Sequence, residues 1–350
     1  MPGIWSPPSP FSPATDRVAP CPPPLKNTPD GRFGQEFAQP TLFWYHRRKT
    51  SPHHRPGRED MLRHLLRTMR PKQWIKNVFV FAPLVFDVKL TNPIYLLNTL
   101  AGFVLLCLVS GTVYVINDLA DAEKDRHHPR KRNRPIPSGR LSTSAALVGA
   151  TTLILLSLPA GFLLDLSFGS ILLGYLLLQI AYSFLLKRLV IIDVLAIASG
   201  FVLRVAAGVP LVEAERFSPW MYTCMALLAL LIGFSKRRHE LTLLAENANA
   251  HRESLEEYSL PLLDQIIGVV TAATLIAYAL YTFSAPNLPA NHAMMLTIPF
   301  VLYTVFRYLY LVQVKGLGGE PEEVVLGDRP LQAGVALWAL AVMVIMYLFR

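Results

Sequence analysis

Four oxygen-bearing side chains recur at a regular spacing in NDLADAEKD, residues 117–125. If this stretch is helical, Asn117, Asp121 and Asp125 lie four residues apart and share one face, with Asp118 beside them. Carboxylates gathered in this way repel one another unless a cation lies between them. Mg²⁺ prefers oxygen ligands and is commonly held by carboxylates together with substrate phosphates. The spacing therefore predicts a Mg²⁺ site for a diphosphate, with an acidic helix cap as the simpler alternative.

A run of basic residues follows the acidic stretch directly, RHHPRKRNR over residues 126–134. A metal-bound diphosphate keeps negative charge that Arg and Lys side chains can neutralise. We therefore predict that Arg126, Lys131 and Arg134 bind the departing diphosphate. The alternative is a basic loop that only marks the cytoplasmic side of a membrane.

Three further segments carry polar residues that could bind anionic substrates. They are RPKQWIKN (70–77), the stretch from Tyr182 to Arg204, and KRRHE (236–240). The candidate substrate-binding residues in them are Lys72, Lys76, Asn77, Tyr182, Lys187, Asp193, Arg204, Lys236, Arg237, Arg238 and Glu240.

Each of these segments also has a simpler interpretation. RPKQWIKN could be an interfacial anchor built on Trp74. Asp193 and Arg204 fall inside apolar segments, where charged side chains are costly and are usually functional or paired. A mutual Asp193–Arg204 ion pair is therefore the alternative for these two, and cations that extend to the headgroups are the alternative for residues 236–238.

The elements that must position these residues are membrane helices. The chain is 52% hydrophobic and only 16% charged, whereas a soluble domain carries about a quarter charged residues. Several nearly uncharged stretches reach the length of about 20 residues that a helix needs to cross a bilayer. We predict an all-α membrane protein with nine transmembrane helices around a central cavity. The nine apolar segments cover residues 76–90, 94–117, 144–165, 167–187, 189–211, 218–235, 261–284, 293–314 and 330–349.

Residues 1–60 differ in composition from the rest of the chain. The Pro- and Ser-rich run MPGIWSPPSPFSPATDRVAPCPPP has no apolar period, which predicts a disordered tail. Met61 opens a basic amphipathic stretch and is an alternative start, so the tail need not belong to the mature protein. Residues 61–350 then form the transmembrane catalytic domain. The three cysteines are widely separated in sequence, which argues against a zinc site or a disulfide framework.

Basic residues are divided unequally between the two ends of the predicted helices. With the N-terminus inside, the loop 118–143, Lys187, residues 236–238 and Lys315 all lie inside, and the outer loops hold little beyond Lys89 and Arg216. This pattern predicts that the acidic stretch faces the cytoplasm. It also accounts for the net charge of +9 without a nucleic-acid partner. The distribution of charge does not decide whether the chain forms a homo-oligomer.

Together these motifs resemble a known family. An NDxxDxxxD loop after the second of nine spans is similar to that of the UbiA superfamily of intramembrane prenyltransferases. RPKQWIKN, NDLADAEKDRHHPRKRNRPIPSG, YSFLLKRLVIIDV, GFVLRVAAG, SKRRHEL and GGEPEEVVLGDRPL resemble one branch, the decaprenyl-phosphate phosphoribosyltransferases, over about residues 61–350. The resemblance implies transfer of 5-phosphoribose from 5-phosphoribosyl diphosphate to a polyprenyl phosphate in a bacterial plasma membrane. The product would feed cell-wall arabinan synthesis.

One departure from the wider superfamily bears on the substrate. Aromatic prenyltransferases of this type place a second Asp-rich motif after the sixth span, whereas SKRRHELTLLAENANAHRESLEEY contains no Asp. This argues against a second metal-bridging carboxylate pair, with Glu240 left as a residue that could ligate or position a group. The basic side chains suit a substrate with an additional phosphate. Two alternatives stay open: a UbiA-type aromatic prenyltransferase that uses prenyl diphosphate and a quinone precursor, and a non-catalytic transporter or scaffold.

Overall fold

The computed structural model of the chain describes residues 58–128, 131–214, 218–246, 257–319 and 321–348. The described residues are helical, with no β-strand among them. Apart from residues 58–60, the predicted tail lies outside the described residues and stays a prediction. The α-helices are α1 Arg58–Thr68, α2 Ala82–Phe86, α3 Pro93–Ala120, α4 Ala122–His127, α5 Thr143–Leu164, α6 Leu166–Phe184, α7 Ile192–Leu211, α8 Pro219–Glu246, α9 Leu260–Ser284, α10 Ile298–Gln313, α11 Pro321–Gly327 and α12 Arg329–Leu348. The 3-10 helices are Pro71–Phe81, Lys131–Asn133, Leu186–Arg188 and Ala293–Thr297.

Capping side chains fix where several of the long helices begin. The side chains of Ser142, Asp165 and Ser259 accept hydrogen bonds from backbone N–H groups in the first turns of α5, α6 and α9. Each cap satisfies an N–H group that the helix itself cannot. Asp165 is also the single residue between α5 and α6, so these two helices turn back sharply and pack as antiparallel neighbours. This agrees with the tight spacing of the apolar segments.

Eight helices of the described chain are long and apolar enough to span a membrane. The apolar segment predicted over residues 76–90 differs from them. It forms the 3-10 helix Pro71–Phe81, with 11 residues, followed by α2, with 5 residues. A 3-10 helix rises about 2.0 Å per residue and an α-helix about 1.5 Å, so together they extend about 30 Å, the thickness of the hydrocarbon core.

A contact between the start of this segment and the end of α3 shows that the segment also crosses the bundle. The Arg70 guanidinium, just before the 3-10 helix, lies 2.7 Å from the Asp118 carboxylate near the end of α3. Because α3 crosses in one direction, the chain between Arg70 and Pro93 must cross in the other. Within the described residues, this segment and the eight long helices therefore provide the nine crossings that the sequence predicts.

Two helices lie at the centre of the bundle. Within the most apolar window of each helix, 56% of α3 and 50% of α7 are buried, against 17% of α5. The 3-10 helix Pro71–Phe81 packs against both central helices. Asn117 and Asp118 on α3 and Asp193 and Arg204 on α7 therefore lie on the most buried helices, and α5 presents most of its apolar surface outward.

Candidate active site

The acidic stretch forms a break between two helices. The helix α3 ends at Ala120, Asp121 adopts φ −94° and ψ 3°, and α4 begins at Ala122. Backbone hydrogen bonds nevertheless continue through the break, from Asp121 N to the Asn117 carbonyl (3.0 Å) and from Asp125 N to the Asp121 carbonyl (2.9 Å). The four residues are therefore close together, although not on the face of one continuous helix as predicted.

Two carboxylates of this break converge on one guanidinium. Arg134 Nη1 lies 3.2 Å from Asp118 Oδ1 and 2.6 Å from Asp125 Oδ2. Both carboxylates are buried, with side-chain exposures of 2% and 4%. Lys131 Nζ lies 3.7 Å from Asp125 Oδ1. The predicted acid–base juxtaposition is present, and Arg134 forms its centre.

A second arginine, absent from the sequence-based candidates, completes this cluster. Arg70 Nη2 donates to Asp118 Oδ1 (2.7 Å), and its guanidinium stacks 4.8 Å from the centre of the Tyr114 ring. Arg70 has φ 53°, a left-handed conformation that is uncommon for a residue with a side chain. The following Pro71 disfavours the right-handed helical region for Arg70. An arginine before a helix-initiating proline was therefore the sequence signal for this turn.

Asp121 contacts a different basic residue from Asp118 and Asp125. Its Oδ1 lies 3.4 Å from Lys187 Nζ, in the 3-10 helix Leu186–Arg188 between α6 and α7. Both side chains are partly exposed, at 29% and 26%. The predicted residue Lys187 therefore belongs to the acidic site. It comes from a segment after the acidic stretch in the chain, whereas Arg70 comes before it.

The oxygen donors of the acidic break suit a hard cation, although basic side chains contact these oxygens in the structure. Among the described residues, no three His, Cys, Asp or Glu side chains are grouped as a metal site. Asp118 and Asp125 do, however, bring two buried oxygen donors to a single positively charged nitrogen. The half-buried Asn117 lies beside them. Oxygen donors converging on one positive charge fit a divalent ion such as Mg²⁺, provided that Arg134 moves aside.

Several predicted residues lie away from this cluster. Arg126 is 56% exposed and pairs with Glu123 at 2.8 Å, and Arg238 pairs with Asp264. Lys72 is exposed on the 3-10 helix, and Lys76 is half-buried there. The carboxylates that Arg126 and Arg238 contact therefore lie outside the buried pair.

Asn77 and Arg204 form a separate buried network. Arg204 Nε donates to Asn77 Oδ1 (2.8 Å), and Arg204 Nη2 donates to the Tyr175 hydroxyl (2.7 Å). Asn77 Nδ2 donates to Ser110 Oγ (3.0 Å) and to Cys107 Sγ. These contacts join the 3-10 helix to α3, α6 and α7. The polar groups of Asn77 and Arg204 are thereby bound by other protein side chains within the bundle, and not by the described residues of the acidic break.

Asp193 pairs with Arg237 instead of Arg204, so the alternative of an Asp193–Arg204 ion pair is wrong. Arg237 Nε lies 2.7 Å from Asp193 Oδ2, and Arg237 Nη1 lies 2.6 Å from Glu240 Oε2. The side chains of Asp193 and Arg237 are 0% and 1% exposed. Asp193 and Arg204 lie 11 residues apart on α7, which separates them by about 16 Å along the helix axis.

Tyr258, which follows the basic segment 236–240 in the sequence, joins this second pair. The Tyr258 hydroxyl donates to Asp193 Oδ1 (3.2 Å) and accepts from the Ile191 backbone N–H (2.7 Å). Burial raises the pKa of the Tyr258 phenol to about 12, so the hydroxyl keeps its proton at neutral pH. The predicted residues Tyr182 and Lys236 are half-buried on α6 and α8; Tyr182 lies within electrostatic range of Arg237.

The chain is similar to known proteins in both sequence and fold. The model of the UbiA prenyltransferase family matches residues 79–320. The chain is 32% identical to the decaprenyl-phosphate phosphoribosyltransferase of Corynebacterium glutamicum, over 81% of this chain and 87% of the relative. It is also 32% identical to that of Mycolicibacterium smegmatis, over 80% and 91% respectively. A UbiA homologue from Archaeoglobus fulgidus bound to GPP and Mg²⁺ has the same fold, with a TM-score of 0.62, 18% identity and coverage of 81% of this chain and 99% of that one.

Proposed function

The chain belongs to the UbiA prenyltransferase family, and from that membership we propose that it transfers 5-phosphoribose from 5-phosphoribosyl diphosphate to a polyprenyl phosphate. The observation that carries the proposal is the pair of buried carboxylates surrounded by Arg70, Lys131 and Arg134. Such a site suits a cation-bound diphosphate whose remaining charge is neutralised by arginine and lysine. The relatives named decaprenyl-phosphate phosphoribosyltransferase support decaprenyl phosphate as the acceptor.

The residues that would hold Mg²⁺ are Asn117, Asp118, Asp121 and Asp125. When bound, the ion neutralises charge on the diphosphate oxygens and so makes the diphosphate a better leaving group. Arg134 then has a second function, because its guanidinium can leave the carboxylates and bind the diphosphate instead. A bidentate guanidinium holds a phosphate with defined geometry.

The protein side chains account for the remaining requirements of the transfer. The bond from ribose C1 to the diphosphate oxygen breaks, and a bond from C1 to an oxygen of the lipid phosphate forms. The lipid phosphate is already anionic, so the reaction needs no general base to remove a proton. Arg70, Lys131 and Arg134 stabilise the diphosphate as it departs. Lys187, which contacts Asp121 from the connection between α6 and α7, would contact a phosphate of either substrate.

The second basic region is proposed for binding rather than chemistry. Arg237 is held by two protein carboxylates, and its neighbour on α8, Lys236, is proposed to contact the 5-phosphate or the lipid phosphate. The site is proposed to face the cytoplasm, where 5-phosphoribosyl diphosphate is made, and the polyprenyl tail would extend among the apolar helices. This side of the membrane is also the one at which Lys and Arg accumulate.

Transfer of labelled ribose tests the proposal directly. Membranes that contain the chain are incubated with ribose-labelled 5-phosphoribosyl diphosphate and decaprenyl phosphate, and label is measured in the lipid extract. We expect incorporation that requires Mg²⁺, stops with EDTA and is absent in Asp125→Asn membranes. Incorporation only from labelled prenyl diphosphate into an aromatic acceptor would contradict the proposal and identify an aromatic prenyltransferase.

A further inference from the structure

The connection between α6 and α7 contains a strained turn. Ile191 has φ 67° and ψ −48°, and the Ile192 N–H donates to the Val190 carbonyl across it (2.7 Å). This is a γ-turn with positive φ at its centre, a rare and strained conformation, and it is least favourable for a β-branched residue. Strained backbone of this kind persists only where the surrounding structure holds it.

Packing of the Ile191 side chain does not hold the turn, because that side chain is 43% exposed. Its backbone N–H is instead bound by the hydroxyl of Tyr258, which is itself only 5% exposed. The same hydroxyl donates to Asp193, whose other oxygen is bound by Arg237. A single phenol therefore connects the strained turn to a fully buried ion pair.

The turn lies close in sequence to a residue of the acidic site. Lys187 precedes Ile191 by four residues, and backbone bonds tie the intervening chain together, from Leu189 N to the Leu186 carbonyl (3.2 Å) and from Asp193 N to the Leu189 carbonyl (2.9 Å). The backbone direction at Ile191 therefore sets the direction from which Lys187 extends. Its Nζ ends 3.4 Å from Asp121 Oδ1.

We propose that Tyr258 is a positioning residue: its hydroxyl holds the strained turn at Ile191, and the turn directs Lys187 toward the acidic break. The inference rests on the proposed function, in which Lys187 contacts a substrate phosphate. Without the hydroxyl, Ile191 relaxes to negative φ and the 3-10 helix Leu186–Arg188 rotates. Lys187 then no longer reaches the site, although the acidic break keeps its own residues.

Steady-state kinetics of Tyr258→Phe test the proposal, using whichever diphosphate donor the wild-type chain turns over. We expect the donor KM to rise about five- to tenfold, the effect of losing one productive hydrogen bond. In the double variant Tyr258→Phe/Ile191→Gly we expect the donor KM to return close to that of the wild type. Glycine adopts positive φ without a steric penalty, so the turn persists without the hydroxyl.

Tyr278→Phe provides a matched control for general destabilisation. Its hydroxyl also makes two buried hydrogen bonds, to Thr297 (2.6 Å) and Trp338 (2.8 Å), between helices that do not carry the acidic site. We expect this variant to lower thermal stability and to leave the donor KM unchanged. An unchanged KM in Tyr258→Phe, an equal rise in Tyr278→Phe, or a lack of rescue by Ile191→Gly would each overturn the inference.

This experiment separates the inference from the proposed function. If the wild-type chain uses prenyl diphosphate and transfers no ribose, the proposed function fails, and the role of Tyr258 is still decided with prenyl diphosphate. If Lys187→Gln raises the donor KM and Tyr258→Phe does not, only the inference fails.

Discussion

Arg134 places one guanidinium nitrogen between two buried carboxylates, within 3.2 Å of Asp118 and 2.6 Å of Asp125. The guanidinium and a divalent cation would therefore compete for the same oxygen atoms. Under the proposed function, a side chain in this position would lower cation affinity in the absence of substrate and would become available to the diphosphate once a cation took its place. Arg134 should thus oppose metal binding and assist turnover.

Replacement of Arg134 by Gln should separate these two effects. We expect the purified variant to bind Mn²⁺ about tenfold more tightly in the absence of substrate, because a competing charge-assisted contact is lost. We expect turnover to fall by about a hundredfold, the scale for removing one group that stabilises developing charge. Electron paramagnetic resonance measures free Mn²⁺ during titration, and Arg140→Gln, an exposed arginine of the same loop, serves as the control. Weaker Mn²⁺ binding by Arg134→Gln would contradict this account.

Asp118 and Asp121 should differ in their contribution to stability. Asp118→Asn leaves Arg70 without its buried counter-charge and leaves Arg134 with Asp125 as its buried partner. We expect this to cost about 1–3 kcal/mol, reduced because both arginines are partly exposed. Asp121→Asn removes only a partly exposed contact at 3.4 Å from Lys187, for which less than about 1 kcal/mol is expected. Both variants should lose Mg²⁺-dependent activity. Thermal unfolding in detergent checks the difference, and equal loss of stability would count against it.

The residue types in the sequence predicted which charged groups lie together. They predicted less well which acidic residue contacts which basic residue. The joint presence of Asp118, Asp125 and Arg134 follows from an acidic run joined directly to a basic one. The partners of Asp193 and Asp121 were not predictable, because Arg237 and Lys187 reach them from other helices. Sequence distance carries no information about such contacts unless the packing of the helices is known.

At the scale of elements, the 3-10 helix Pro71–Phe81 depends on a close approach to α7. A Cβ atom at Gly208 would lie 2.1 Å from the Val80 carbonyl oxygen and 3.0 Å from Pro83. Backbone cannot move aside as a flexible side chain can. Any side chain at position 208 must therefore displace the backbone around Val80, near the end of the 3-10 helix.

Gly208→Ala should therefore reduce both the folded yield and the activity. We expect a loss of more than about 1–3 kcal/mol, the usual cost of overpacking, because the clash is with backbone. The amount of monodisperse protein after extraction and its thermal unfolding measure the effect. Gly268→Ala is the matched control, because no atom lies within 4 Å of the Cβ position there. Equal behaviour of the two alanine variants would show that the approach is not tight.

The helical elements were predictable to the extent that length and apolarity define them. The eight long helices match the predicted segments, and caps such as Ser142 and Asp165 mark their starts. The 3-10 conformation was not predictable, because residues 71–81 have no pattern that separates a 3-10 from an α-helix. The break at Asp121 was missed for a similar reason, since the backbone hydrogen bonds pass through it and the sequence contains no Gly or Pro there.

At the scale of the molecule, the two ends of the bundle carry charge differently. The end that holds the acidic break also holds Arg70, Lys131, Arg134, Lys187 and the residues 236–238. At the opposite end, Lys89 is bound by Asp87 (2.9 Å) and by the Val212 carbonyl (2.6 Å), so its charge is neutralised locally. An excess of Lys and Arg at one end favours a cytoplasmic location for that end. Because successive crossings alternate in direction, the side of any one loop determines the side of every other loop in the described chain.

Single cysteines at the two ends should therefore react differently in intact cells. In a chain whose three native cysteines are replaced, Ser138→Cys reports on the exposed loop after the acidic break, and Asn291→Cys reports on the exposed connection between α9 and α10. We expect a membrane-impermeant maleimide to label position 291 in intact cells and position 138 only after permeabilisation. The ribose-transfer assay on each variant controls for folding. Labelling of position 138 in intact cells would place the site on the outer face, away from the cytoplasmic supply of the diphosphate donor, and would contradict the proposed orientation.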